Sequence, residues 1–238
     1  MFDQFLKAVA VCDGFFCSFA AWFLFIGRME DLEKIEIDDI VKKAKVCELV
    51  EDFKSACQYY QLSALKGDRK SFQKLITYYS REKYNRDVRS AIYWLEKYIN
   101  TFSHATNNTK YEFKLGAMFA NCFFSDQTKN DEDRKKAIYW LRKSYEHRQS
   151  ETNQKMLFDG GVYLYKLGDY VFSYAIFDAI SKSSFHPKYL PLYLGKCFLF
   201  GNGVRKNTDK AFVLLQEAAN NNCPSAQSLL LKYFNTKK

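Results

Sequence analysis

Apolar residues in this chain recur at three- and four-residue spacings, and polar or glycine-bearing stretches interrupt them at regular intervals. That spacing lines apolar side chains along one face of a helix instead of alternating them across a strand. The clearest unit lies near the C-terminus. Leu194, Cys197 and Phe198 share one face of a first helix, and Ala211, Leu214, Leu215, Ala218 and Ala219 form the stripe of a second. Between them, Gly201-Asn202-Gly203 supplies two residues that can take φ > 0 and reverse the chain. Gly195 removes a side chain where another helix must come close, and Asp209 is an N-cap or first-turn acid.

The same reading gives helices at about 40–53 (capped by Asp38-Asp39) and 54–66, the latter ending at Lys66-Gly67-Asp68. Pairs follow at about 69–83 and 87–100, 110–124 and 132–147, 153–167 and 170–183, and 188–200 and 208–221, with a last helix at 225–234 opened by Pro224. The pairs are copies. Ala91-Ile92-Tyr93-Trp94-Leu95 returns as Ala137-Ile138-Tyr139-Trp140-Leu141, 46 residues on. From Ala137 to Ala211 is 74 residues, two steps of 37, with Ser173 near the midpoint, and 35 residues before Ala91 stands Ala56. A period of this size marks a stacked repeat in which each unit buries its apolar face against its neighbours.

Leu194-Gly195, Phe198, Phe200-Gly201-Asn202-Gly203-Val204, Lys210-Ala211 and Glu217-Ala218-Ala219 together resemble the Sel-one-like repeat, a relative of the tetratricopeptide repeat. Leu115-Gly116, Phe119, Lys136-Ala137, Trp140 and Leu141 form a second match, in which residues 125–131 replace the Gly-x-Gly-Val turn. The Gly160-Gly161 unit turns at Leu167-Gly168-Asp169, closer to a tetratricopeptide turn, and the unit at 71–99 keeps only its second helix well. The resemblance covers roughly residues 40–234. It implies an all-α fold: a right-handed α-α solenoid of about five helix pairs with a C-terminal capping helix, used as a protein-binding scaffold.

Three prolines and ten glycines in 238 residues leave little room for long disordered segments. The net charge of +9 favours nucleic acid, an anionic membrane surface or an acidic protein as partner. The basic residues form no long run, however: Arg134-Lys135-Lys136 is balanced by Asp131, Glu132 and Asp133, and no nucleic-acid module signature is present. A solvated lysine-rich helix face accounts for the charge, so nucleic acid is set aside. The seven cysteines show no Cys-x-x-Cys and no repeating interval, which favours a reducing compartment. Secreted relatives staple each helix pair with regularly spaced cysteines, and this chain lacks that pattern.

Residues 1–28 form an apolar N-terminal segment ahead of the repeat domain at 29–238. From Gly14 to Gly27 it carries no charge, and residues 8–27 are long enough to span a bilayer, although Asp13 interrupts them. A signal peptide is disfavoured, because Lys7 is the only early basic side chain and no small-x-small site follows Ile26. A membrane anchor, a buried or interfacial helix, and a stretch upstream of the true start at Met29 remain open. For an anchor, Arg28, Lys34, Lys42, Lys43 and Lys45 would hold the repeats in the cytoplasm.

No catalytic constellation appears. His104, His147 and His186 fall in different units, no spacing suits zinc, and no phosphate-binding glycine loop follows a strand. No cofactor and no metal site is expected. Trp94 and Trp140 read as packing between adjacent pairs. Because first helices line the concave face in this family, Tyr78, Tyr79, Phe119, Tyr163 and Tyr165 are the candidate binding aromatics, with ordinary inter-helix core as the competing reading. The function expected is a non-enzymatic protein–protein interaction scaffold. An immunity or regulatory protein that neutralises a cognate partner, and a hydrolase of the cysteine-rich repeat type, are the alternatives. The absent cysteine pattern and absent nucleophile–base pair count against the hydrolase.

Overall fold

The computed structural model describes residues 36–84, 86–102, 108–147 and 153–234; among them are eleven α-helices and no strand. The apolar segment 1–28, the candidate anchor 8–27 and His104 lie outside the described residues. No helix among the described residues is long and apolar enough to cross a membrane. The chain divides into two compact units, Met1–Phe102 and Ser103–Lys238. Unit 1 holds α1 (Ile37–Leu49), α2 (Phe53–Leu65), α3 (Arg69–Ser80) and α4 (Val88–Thr101). Unit 2 holds α5 (Thr109–Ser125), α6 (Asp131–Glu146), α7 (Gln154–Lys166), α8 (Tyr170–Ser181), α9 (Leu190–Phe200), α10 (Thr208–Asn220) and α11 (Pro224–Phe234). Within each unit consecutive helices pack as pairs, in the manner of a helical-repeat solenoid.

Local chemistry sets the boundaries. Asp52, Asp68, Asp87, Asn130, Asn153 and Asn207 stand before their helices and accept backbone N–H groups of the first turn. Each cap satisfies a donor the helix cannot, worth about 1 kcal/mol. Helix α1 differs from its expected course. It starts at Ile37, so Asp38 and Asp39 fall inside the first turn and complement the helix dipole instead of capping it. It ends at Leu49 because Glu51 turns left-handed, with φ 57°, two residues later. The α5–α6 turn, which lacks the glycine pair, is made by Lys129 at φ 52°; its ammonium reaches back 2.9 Å to the carbonyl of Phe124 at the end of α5.

The repeated small position is the centre of every pair. Ala56, Ala91, Ala137, Ser173 and Ala211 all have no exposed surface, and the large residue four places on (Tyr60, Leu95, Leu141, Phe177, Leu215) is also buried. In unit 2 the facing first helix meets that large residue with a glycine. A Cβ on Gly116 would lie 2.7 Å from Leu141, one on Gly161 2.8 Å from Phe177, and one on Gly195 2.9 Å from Leu215. Among the described residues of unit 1 no glycine serves this purpose. Phe72 instead fills the α3–α4 interface, edge-on to Trp94, Tyr98 and Phe102 with centroids 5.7 to 6.0 Å away.

Turns in unit 2 are also held by neighbouring helices. Arg134 and Arg142, two turns apart on α6, both grip the α7–α8 turn. Arg134 Nε donates to the Leu167 carbonyl at 2.8 Å, and Arg142 makes a bidentate pair with Asp169 at 2.6 and 2.8 Å. The Gly201-Asn202-Gly203 turn lies against the start of α8. A Cβ on Gly203 would sit 2.1 Å from the carbonyl oxygen of Tyr170, so this position needs glycine for close approach as well as for its φ of 75°.

Candidate binding face

First helices α5, α7 and α9 of unit 2 carry polar and aromatic side chains that the core does not consume. On α7, Asp159, Tyr163 and Lys166 follow at four and three residues and so share a face. Tyr163 donates its hydroxyl hydrogen to Asn121 Oδ1 of α5 at 3.4 Å, which joins two neighbouring first helices at their surface. On α9, Lys196 is half-buried, with its ammonium 5.4 Å from the centroid of the Tyr193 ring. Burial holds the Lys196 ammonium below the usual lysine range; Cys223 opposes this, and the like charge of Lys166 adds the smallest contribution, a further lowering. Burial raises the Asp159 carboxyl, and Lys155 only partly offsets this.

The five sequence candidates separate. Tyr163 stands on this face. Tyr165, on the same helix, points elsewhere: its ring packs on Tyr170 and Tyr193, and its hydroxyl accepts from Asn202 Nδ2 at 2.9 Å. Burial pushes the Tyr165 hydroxyl up to about 12. Phe119 is buried in the unit 2 core with Lys136 over its ring, and Tyr78 is buried in unit 1. The Tyr78 ring packs on Phe53, Tyr60 and Tyr84, and its hydroxyl donates to Glu48, which also takes Lys74 at 2.8 Å. Tyr79 is half-buried and accepts from Gln61 Nε2 at 2.8 Å. Phe119 and Tyr78 are both buried core residues: Phe119 lies under Lys136 of its paired helix α6, and Tyr78 packs across onto α1 and α2 of the preceding pair.

Sequence reasoning missed Lys196 and Asp159, although a signal existed. Lys196 is the only charge in α9 and follows the crossing glycine Gly195; Asp159 lies between Phe158 and Gly160. A single charge beside a close helix crossing is forced to the rim of the interface, half in and half out of water. Trp94 and Trp140 are buried, as packing requires. His147 holds the buried Glu112 carboxylate at 2.9 Å, and Thr109 Oγ1 donates to the His147 carbonyl at 2.9 Å, so this histidine ties the open ends of α5 and α6. His186 is exposed. No group of His, Cys, Asp and Glu among the described residues could hold a metal ion.

Four stretches of the chain, 49–68, 78–97, 111–148 and 192–223, match the family model for the Sel1 repeat. The α7–α8 pair, with its Leu167-Gly168-Asp169 turn, is not among them. No curated protein matches the chain. Among solved structures, YrrB, a tetratricopeptide-repeat protein with an unusual peptide-binding site, is similar at a TM-score of 0.55 and 15% identity, over 81% of this chain and 91% of YrrB. The protective antigen c5321 of uropathogenic Escherichia coli, with an SLR fold, gives 0.48 and 18% over 84% of this chain and 41% of its own. The chain thus spans about two fifths of the length of c5321. A Sel1 repeat protein from Oxalobacter formigenes gives 0.45 and 20% over 82% and 75%. The likeness to YrrB is one of fold.

Proposed function

Because this chain is a Sel1-repeat protein, we propose that it is a non-enzymatic interaction scaffold that holds a protein segment on the first-helix face of unit 2. The observation that carries this reading is the Asn121–Tyr163 surface contact between neighbouring first helices, flanked by Lys166 and Lys196. These side chains are set by helices whose crossings are fixed by glycine and whose turns are pinned by arginine, so little ordering would be left for binding to cost. YrrB, which has a similar fold, has a peptide-binding site, and this supports the reading. A cytoplasmic, reducing setting fits it too. All five cysteines among the described residues are thiols, and burial pushes Cys57 and Cys197 up to about 12, too high to react readily.

A photo-crosslinking residue placed at Tyr163, and separately at the exposed Val213 of α10, tests the reading in the full chain. Covalent capture of a protein at position 163 and not at 213 is expected. Equal capture from both positions, or capture from 213 alone, would overturn it.

A further inference from the structure

Unit 1 and unit 2 treat the charges on their first helices differently. In unit 1, Lys74 of α3 meets Glu48 of α1 at 2.8 Å, and Glu48 is further held by Tyr78. In unit 2, Lys196 is half-buried with the Tyr193 ring beneath it and, among the described residues, no carboxylate within ion-pair distance; the charged side chain that acts on it is another cation, Lys166. Asp159 is half-buried too, and among the described residues Lys155 is the only charge that acts on it, without forming an ion pair. A protein does not gain stability by leaving opposite charges partly desolvated and unpaired. Asp159 and Lys166 are seven residues apart on one face of α7, which sets their backbones about 10 Å apart along the helix. Tyr163 lies between them and Lys196 beside the cationic end.

Resting on the scaffold reading, we propose that this face takes an extended protein segment of mixed charge, with a carboxylate set between Lys166 and Lys196, a cation set against Asp159, and Tyr163 packed between the two. Each partner charge would complete a half-buried group that the fold leaves open, as Lys74 completes the half-buried Glu48 in unit 1. The pattern also selects against other occupants. A nucleic acid would satisfy the lysines but bring phosphate charge onto Asp159, and a purely acidic segment would suffer the same repulsion.

Selection of a random twelve-residue peptide display library on the full chain, followed by fluorescence anisotropy on synthetic versions of the recovered peptides, tests this. Recovered peptides should carry both an acidic and a basic residue. Lys196→Glu, Lys166→Glu and Asp159→Lys should each weaken them by about tenfold or more. Reversing the matching charge in the peptide should restore binding. Lys166 is exposed, so its reversal remains informative even where Lys196→Glu perturbs folding. Peptides that bind but ignore all three reversals, or that carry one sign of charge only, would overturn the mixed-charge proposal and leave the scaffold reading standing. Recovery of no peptide that competes with crosslinking at Tyr163 would overturn both.

Discussion

The α3–α4 pair of unit 1 and the α9–α10 pair of unit 2 solve one packing problem in opposite ways. In α3–α4 the space between helices is filled. Phe72 sits among three aromatic rings, and Arg69 covers them, donating to the Tyr98 hydroxyl at 2.7 Å with its guanidinium 5.5 and 5.4 Å from the Tyr98 and Phe102 rings. In α9–α10 the space is removed, since Gly195 lets the backbone close onto Leu215. A filled interface depends on volume and tolerates conservative exchange of apolar residues. A closed interface depends on the absence of a single atom and tolerates nothing larger.

Five substitutions would break or sharpen that contrast. The largest effect is expected from Phe72→Ala, which empties the centre of the α3–α4 interface and should cost about 4 kcal/mol. Its signature in hydrogen exchange is faster exchange in α3 and α4, with α9 and α10 unchanged, because solenoid stability is set by each unit and its nearest interfaces. Equal loosening across both units would show that they unfold as one. Gly203→Val comes next, at about 3 kcal/mol, since it combines a β-branched residue at positive φ with a clash at the Tyr170 carbonyl. Here exchange should rise around residues 165–205 and not in unit 1. Gly116→Ala should cost about 2 kcal/mol, as its Cβ would press on both the side chain and the backbone nitrogen of Leu141. Urea denaturation should show a lower midpoint, and a midpoint equal to that of the parent would mean that α5 and α6 separate freely to admit a methyl group.

The smallest effects carry opposite signs. Lys74→Met removes the partner of Glu48 and should destabilise by less than about 1 kcal/mol. Lys196→Met removes a half-buried cation with no carboxylate partner and should stabilise by about 0.5 kcal/mol, at the expense of binding. The pH dependence separates them further. The Lys196 ammonium is held below its usual range in the folded chain, so the unfolded state binds its proton more tightly. The resulting penalty is fully present at neutral pH and is relieved as pH rises through the lowered value toward 10.5. Thermal melts of the parent and the Lys196→Met variant should therefore converge in alkaline buffer; a gap that stays constant would remove Lys196 from the account.

The fold was legible because its signals are local and repeated. The small residue at 56, 91, 137, 173 and 211, the glycines at 116, 161 and 195, and the capping acids and amides each announce a helix position without knowledge of the rest of the chain. The site was legible only in part. Helical spacing tells which residues share an apolar stripe, but a stripe has two edges, and spacing does not say which edge faces the paired helix. Phe119 turns toward its paired helix α6, Tyr78 toward α1 and α2 of the preceding pair and Tyr163 toward the surface, yet the three look alike in sequence. The grip of Arg134 and Arg142 on the α7–α8 turn joins residues about thirty positions apart through side chains, with no periodicity to betray it. The second duty of Gly203 was hidden for the same reason. Its φ follows from the turn, but the nearness of the Tyr170 carbonyl belongs to another repeat.

That nearness gives the chain an order in time. Tyr170 opens α8, and the turn that closes over it ends 33 residues later, at Gly203. On the ribosome the earlier pair emerges first and waits, its first turn uncovered, for a further roughly 2 to 7 s at ordinary synthesis rates. The α7–α8 pair is then latched by the loop of its successor. Growth of the stack is directional, and a nascent chain halted between residues 181 and 201 would expose an α8 with no latch.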